Sequence, residues 1–292
     1  MVDPKPGVQK GLAISYYSGD TKRVQGAGMC ELESKRSAPL KNQENPAVKK
    51  LLAVESKPAA KSSGASLRTY RLAVATTGEY GQFHGGQTAT ALAAVVTTIN
   101  RVTGILEKEM SISLQLVPDN DLIIYTDALT DPFTGNDDAS TLIDESQTQI
   151  DLVIGDENYD IGHTFSTGAG GLASLPSVCV TGRKAKGVTG SSVPRGDFFD
   201  VDYVAHEIGH QFGGNHTFNG SNGGCTDSNR WYLTAYEPGS GSTIQAYPGL
   251  CGPDNLQGAV DPIYHSESFE EMYGYVSEDF GSSCGVVTST SN

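Results

Sequence analysis

The segment Ala205-His206-Glu207-Ile208-Gly209-His210-Gln211-Phe212-Gly213-Gly214-Asn215-His216 sets three imidazoles and a carboxylate at spacings suited to metal-assisted hydrolysis. His206 and His210 are four residues apart, so on a helix their rings project from one face and can share one zinc ion. Glu207 adjoins them, placed to act as general base on a water at that ion. A catalytic zinc takes three protein ligands and keeps one position open. At ~100° per residue, a continuing helix would carry His216 off the face shared by His206 and His210. Gly213 and Gly214 remove that obstacle, because glycine commonly ends helices and accepts positive φ, letting the chain turn back and bring His216 to the metal. Zinc lowers the pKa of bound water to about 7 and polarises a carbonyl. Glu207 would take the proton as water attacks and pass it to the leaving amine. The implied reaction class is peptide-bond hydrolysis.

Other polar residues read less sharply. His163, in Asp160-Ile161-Gly162-His163, is expected to be a hydrogen-bonded structural residue, and His84 and His265 surface or structural ones. Asp131, Asn136, Asp137 and Asp138 could hold calcium, but their spacing matches no calcium loop, and loop or N-cap duty is the alternative. None of the five cysteines, Cys30, Cys179, Cys225, Cys251 and Cys284, forms a C-x-x-C pair, which argues against zinc ribbons and thioredoxin-like sites. Four lie in the acidic part, enough for two disulfides and an extracytosolic protein, which leaves Cys30 as the odd thiol.

The elements that must position these groups follow from periodicity. Tyr70, Leu72 and Val74 alternate as in a strand, as do Ile112, Leu114 and Leu116 before Pro118. Leu92, Val95, Val96, Ile99, Val102 and Leu106 recur at helical spacing, predicting a helix over about 87–110. Further helices are expected near 140–149, 201–212 and 266–276, and strands over 151–155, 171–175 and 179–187. The stretch 37–66 reads as a linker with one short helix around 47–54. Alternating strands and helices predict an α/β (α+β) fold, a twisted mixed sheet covered by helices.

At 292 residues the chain can bury a sizeable core, and its 37% apolar content with 35 glycines excludes wholesale disorder. Residues 1–68 carry 12 basic and 6 acidic side chains, a net +6, whereas the remainder sums to −20. An acidic domain of that size repels nucleic acid and anionic membranes. No uninterrupted apolar run approaches the ~18 residues of a membrane span. The basic leader is either a solvated tail or a segment held on the acidic domain by charge. Met1-Val2-Asp3-Pro4 lacks a basic n-region and an apolar h-region, so the expectation is a secretory signal removed ahead of it.

The elongated zinc motif resembles that of the metzincin metallopeptidases. Three further segments resemble the adamalysin/reprolysin branch, especially its secreted bacterial members: Gly171-Leu172-Ala173-Ser174-Leu175 before Cys179, Asp202-Tyr203-Val204-Ala205 leading into the motif, and Glu237 to Ile244. The resemblance covers about residues 66–284. It implies a zinc in a cleft between a larger upper and a smaller lower subdomain. It implies an upper-rim strand, with Gly171, Leu172 and Ala173 pairing with substrate, and a primed-side wall at Tyr247 and Pro248. It also implies the disulfide Cys179–Cys284, which leaves Cys225–Cys251. The family sets a methionine beneath the zinc where Gln245 stands here, a departure that puts the apolar floor in question. Ala27-Gly28-Met29-Cys30-Glu31-Leu32 resembles the cysteine-switch segment of reprolysin propieces, implying that Cys30 ligates zinc in a latent form.

The expectation is a secreted, monomeric zinc endopeptidase made as a zymogen. A basic propeptide and linker would cover 1–65 and the catalytic domain 66–292, with its own propeptide and protein or peptide substrates as partners. The competing readings are a catalytically silent, zinc-stabilised binding module and a zinc amidase. Retention of Glu207 argues against the module, which would need metal but no base.

Overall fold

The computed structural model describes residues 65–168, 170–226 and 229–290, together with the backbone of three short strands in the leader, β1 (Val2–Pro4), β2 (Ala13–Ser15) and β3 (Cys30–Glu33). The helix expected at 47–54 lies outside the described residues. From β4 (Ser66–Thr76) the chain passes through α1 (Gly78–Phe83), α2 (Thr88–Met110), β5 (Ile112–Leu116), α3 (Ala139–Val153), β6 (Ile161–Ser166), β7 (Gly171–Ser174) and β8 (Gly187–Gly190). It continues through α4 (His206–Gln211), α5 (Ser266–Glu278) and β9 (Val286–Ser289).

The sheet runs β3-β7-β8-β6-β4-β5, with β9 antiparallel along the start of β4. β7 is antiparallel to β8, and the other neighbours are parallel. The period of two in β4 divides the core between the faces of the sheet. Tyr70, Leu72 and Val74 pack with Val95, Ile99 and Leu106 of α2, whereas Ala73 and Ala75 pack with Leu142, Ile143 and Ile150 of α3. α2 is long and apolar enough to cross a membrane by length and composition, but its apolar face belongs to this core. No α-helix or strand is described between α4 and α5. That stretch instead gathers a small core of its own from Phe218, Cys225, Ala246, Tyr247 and Cys251.

Two expected strands are corrected. Residues 151–155 are not a strand, because α3 runs to Val153 and ends at Gly155, φ +87°. Their apolar run divides between helix faces, with Ile150 buried and Leu152 exposed. Residues 179–187 form turns. Cys179 takes a left-handed φ of +65°, the Lys184 N–H bonds back to the Val180 carbonyl, and the strand begins only at Gly187. The expected helix over 201–212 divides: residues 200–205 wind as a wider π-helix and 206–211 as α-helix. Central strand β6 has no counterpart in the sequence reading, since Ile161-Gly162-His163-Thr164-Phe165-Ser166 is buried on both faces and does not alternate cleanly.

Cys179 and Cys284 are disulfide-bonded with Cα atoms 5.6 Å apart, closing a loop with a sequence separation of 105. Cys225 and Cys251 are bonded with Cα atoms 5.0 Å apart, inside the small core. Cross-linking a loop as long as the first removes much denatured-state entropy. Cys284→Ser is expected to lower stability by about 3–4 kcal/mol, read as a lower urea midpoint with a larger m-value, because the denatured chain is no longer cross-linked. A midpoint equal to the parent's would show that the bond adds nothing.

Candidate metal centre and active site

α4 carries His206 and His210 on one face, with ring centroids 4.5 Å apart. The helix stops where the Gly213 N–H bonds to the His210 carbonyl and the Gly214 N–H to the Gly209 carbonyl. Gly213 sits at φ +102°, a conformation that side chains oppose, and the turn it makes returns His216 to the other two rings. The three Nε2 atoms then lie 3.0, 3.1 and 3.2 Å from one another.

The opposite ring nitrogens explain this convergence. His206 Nδ1 lies 2.6 Å from the Ile244 carbonyl oxygen, His210 Nδ1 2.6 Å from that of Gly214, and His216 Nδ1 2.6 Å from that of Asn229. A carbonyl only accepts, so each Nδ1 carries the proton and each Nε2 presents a lone pair. Three lone pairs cannot hydrogen-bond one another. Ligands at 2.0–2.1 Å around a tetrahedral ion stand about 3.3 Å apart, so the residues fit a metal of zinc's size. Burial holds His206 neutral, its pKa pushed down to about 4 against the opposing bond to Ile244. His210 and His216 are also lowered, by burial first and then by the neighbouring rings. Among the described residues this triad is the group of side chains gathered to hold a metal.

Glu207 is buried beside the triad. A Cβ at Gly171 of β7 would overlap its carboxylate, so glycine there lets the strand run directly past the acid. Leu172 and Ala173 continue β7, which is bonded to β8 on one side and to β3 on the other. The backbone of Cys30 stands opposite Gly171 in that parallel pairing, and the Cys30 sulfur lies outside the described residues. Across the site, Tyr247 lies 4.5 Å from the His216 ring and 4.6 Å from Phe218, centroid to centroid. With Pro248, Tyr203 and Leu250 it lines a cavity of about 20 Å³ beside His206.

Gln245 lies under the triad. Its Nε2 donates to the Gly214 carbonyl at 3.1 Å, and its Oε1 is buried with no donor among the described residues. Met272, from α5, packs against the same Gly214. A methionine thus approaches this floor from far along the chain, which no local spacing signals.

Several supporting residues escape the motif reading. Gln211 donates to the Gly162 carbonyl at 2.9 Å and lies 2.9 Å from His163 Nδ1, while His163 Nε2 meets Thr189 Oγ1 at 2.8 Å, so a buried chain ties α4 to β6 and β8. Both oxygens of Glu271 accept from Asn215, one from its backbone N–H at 2.8 Å and one from its side chain at 2.7 Å. Thr234 Oγ1 donates to the His216 carbonyl at 2.6 Å. Glu237 accepts from Thr217, Ser242 and Thr243, pinning the segment after His216 to the one before Gln245. The residues weighed for calcium have structural work. Asp131 accepts from the backbone of Gly78 and Phe133, Asp138 caps α3 through Ser140, and Asn136 holds Thr77 and Thr167. Asp137 Oδ1 accepts from Asn136 Nδ2.

Comparison with known proteins agrees with this geometry. No curated protein sequence matches the chain. Among the solved structures that resemble it are two at low identity. One is described as the structure of a chaperone–substrate complex, with 13% identity, TM-score 0.38 and 71% of this chain covered; this chain spans 35% of that one. The other is the crystal structure of myroilysin, with 12% identity, TM-score 0.40, and coverage of 85% of this chain and 92% of that one. The model of the metallo-peptidase family M12B, reprolysin-like, matches residues 66–259, about two thirds of the sequence and the whole of the histidine motif. The chain belongs to the reprolysin-like M12B family of metallopeptidases.

Proposed function

We propose that the protein is a secreted zinc endopeptidase, with His206, His210 and His216 holding the ion and Glu207 acting as general base. The observation that carries this reading is the convergence of three Nε2 lone pairs, with every Nδ1 proton engaged elsewhere, beside a carboxylate that lies against a sheet strand. Zinc bound there would polarise a scissile carbonyl and acidify water. The chain's own residues do the rest. A peptide laid along β7 would be held by backbone hydrogen bonds, as added strands are. The Glu207 carboxylate would receive the proton of the attacking water and return it to the departing amine. Tyr247 and Pro248 would seat a substrate side chain on the far wall. The two disulfides support a location outside the cytosol. Glu207→Ala is expected to keep one zinc per chain, measured by elemental analysis, while turnover of a casein substrate falls by at least ~10³. Appreciable turnover by that zinc-loaded variant would remove Glu207 from its role.

The floor departs from an apolar one at a definite cost. A buried, unpaired amide oxygen costs about 1–3 kcal/mol, and Gln245 offsets this with one bond to Gly214. Gln245→Met is therefore expected to fold and to melt a few degrees higher in calorimetry. A lower melting temperature would show that the Gly214 bond outweighs the bare oxygen.

For latency, residues 1–65 are proposed as a propeptide and linker whose Cys30 occupies the open zinc position. What supports this is the pairing of β3 with β7, since it puts the leader on the strand that substrate would use. The charges, +5 for residues 1–65 against −19 for the remainder, favour the same association. The uncut chain is expected to be nearly inactive and the full-length Cys30→Ala protein active without cleavage. If Cys30→Ala stays as silent as the parent while the cut enzyme works, the leader inhibits by covering β7 alone.

A further inference from the structure

Two cavities lie at the two ends of α4. The first, at the His206 end, is the small one beside Tyr247. The second, past Gly213 at the other end, has a volume of about 440 Å³, enough for a long side chain. Its lining combines an apolar base, Leu175 and Pro176, with the aromatic rings of Trp231 and Tyr275 and the carboxylates of Glu271 and Asp279. Among the described residues, no lysine or arginine lines it. Leu175 and Pro176 directly follow β7, so a peptide paired with that strand runs from Glu207, at Gly171, toward this cavity. Four residues of strand separate the two points, about 13 Å at 3.3 Å per residue.

We propose that this cavity is a specificity pocket for an arginine side chain of the substrate, a few residues from the scissile bond and on the opposite side of it from the Tyr247 cavity. The inference rests on the peptidase reading above. The chemistry of the lining favours a planar cation over the alternatives. Trp231 is 41% exposed and lines the cavity, and an indole ring favours a guanidinium, which stacks better than an ammonium. Glu271 is half-buried, and burial holds its carboxyl above the ordinary value despite the two bonds from Asn215, so its anion lacks solvation that a cation would supply. Asp279 is exposed and gives the pocket a second negative wall. An apolar side chain would strip water from both carboxylates without replacing it, and an acidic one would be repelled. Glu271 also grips Asn215, the residue before His216, so a cation bound there adjoins the clamp on the third imidazole.

The test scans arginine through each position of a fluorogenic peptide, with citrulline, a neutral isostere, as control. The zinc-loaded, leader-free enzyme is expected to cleave the arginine peptide on the order of tenfold better in kcat/KM at one position on one side of the cut. That ratio should fall toward one in Trp231→Ala and in Asp279→Asn, whichever way overall activity moves. Equal cleavage of arginine and citrulline peptides at every position would overturn the pocket while leaving the peptidase reading intact. Absence of cleavage of any peptide would overturn the peptidase reading, and binding then decides the pocket. Trp231 is the single tryptophan of the chain, so its emission reports on this cavity. A saturable change with the arginine peptide and none with the citrulline one supports the proposal. The same response to both, or to neither, overturns it.

Discussion

Three imidazoles brought within 3.2 Å of one another through their Nε2 atoms have nothing to share but lone pairs, and that arrangement stands only if every ring proton has been taken elsewhere. Three backbone carbonyls do this, from Gly214 in the turn after α4, Asn229 in the following loop and Ile244 just before the floor residue. The site is therefore specified less by the histidines than by the folding of three loop segments around them. Much of the remaining structure serves to bring those carbonyls to their places. The Glu237 carboxylate binds the outgoing and returning segments of the lower loop, Thr234 holds the His216 backbone, and Glu271 holds Asn215.

The upper half solves a different problem, that of fixing a short helix. Six residues of α-helix have little stability of their own. α4 is held by apolar packing of Ile208 and Phe212 beneath it and by the buried chain from Gln211 through His163 to Thr189, which binds it to the sheet. Glycines at 162, 171 and 187 let these elements approach: a Cβ at Gly162 or Gly187 would overlap Ala185 or Gln211, and one at Gly171 would overlap Glu207. The geometry of the proposed base thus depends on an absent side chain in the neighbouring strand.

The helices and the histidine motif were legible because their signals are local. α2 and α5 show their apolar stripes at three- and four-residue spacing, and the glycines after His210 announce a turn. β6 and β8 were not legible, because strands buried on both faces lose alternation, and His163 and Thr164 in β6 read as polar loop until their partners are known. The run from 179 to 187 read as a strand because turn hydrogen bonds leave little mark on composition. Glu237, Glu271 and Met272 act through partners distant in sequence, as does Asn229 through its carbonyl to His216 thirteen residues before it. Two subdomains were implied by the resemblance, but not the carboxylate of Glu237, which fastens the segment after His216 to the one before Gln245 within the lower one.

The division of the triad between the halves has a consequence for the order in which the molecule comes apart. His206 and His210 belong to a helix pinned on the sheet, while His216 belongs to a stretch with no described α-helix or strand, held by a five-residue core, a disulfide and side-chain bonds. Segments of that kind open locally at lower free energy than a sheet does. Opening the lower stretch withdraws one imidazole and leaves two, so a bound ion and a closed lower half stabilise each other through linkage. The metal would then be as much a fastener of the lower stretch onto the sheet as a reagent, and the lifetime of the ion on the protein would be a clock for the opening of that stretch.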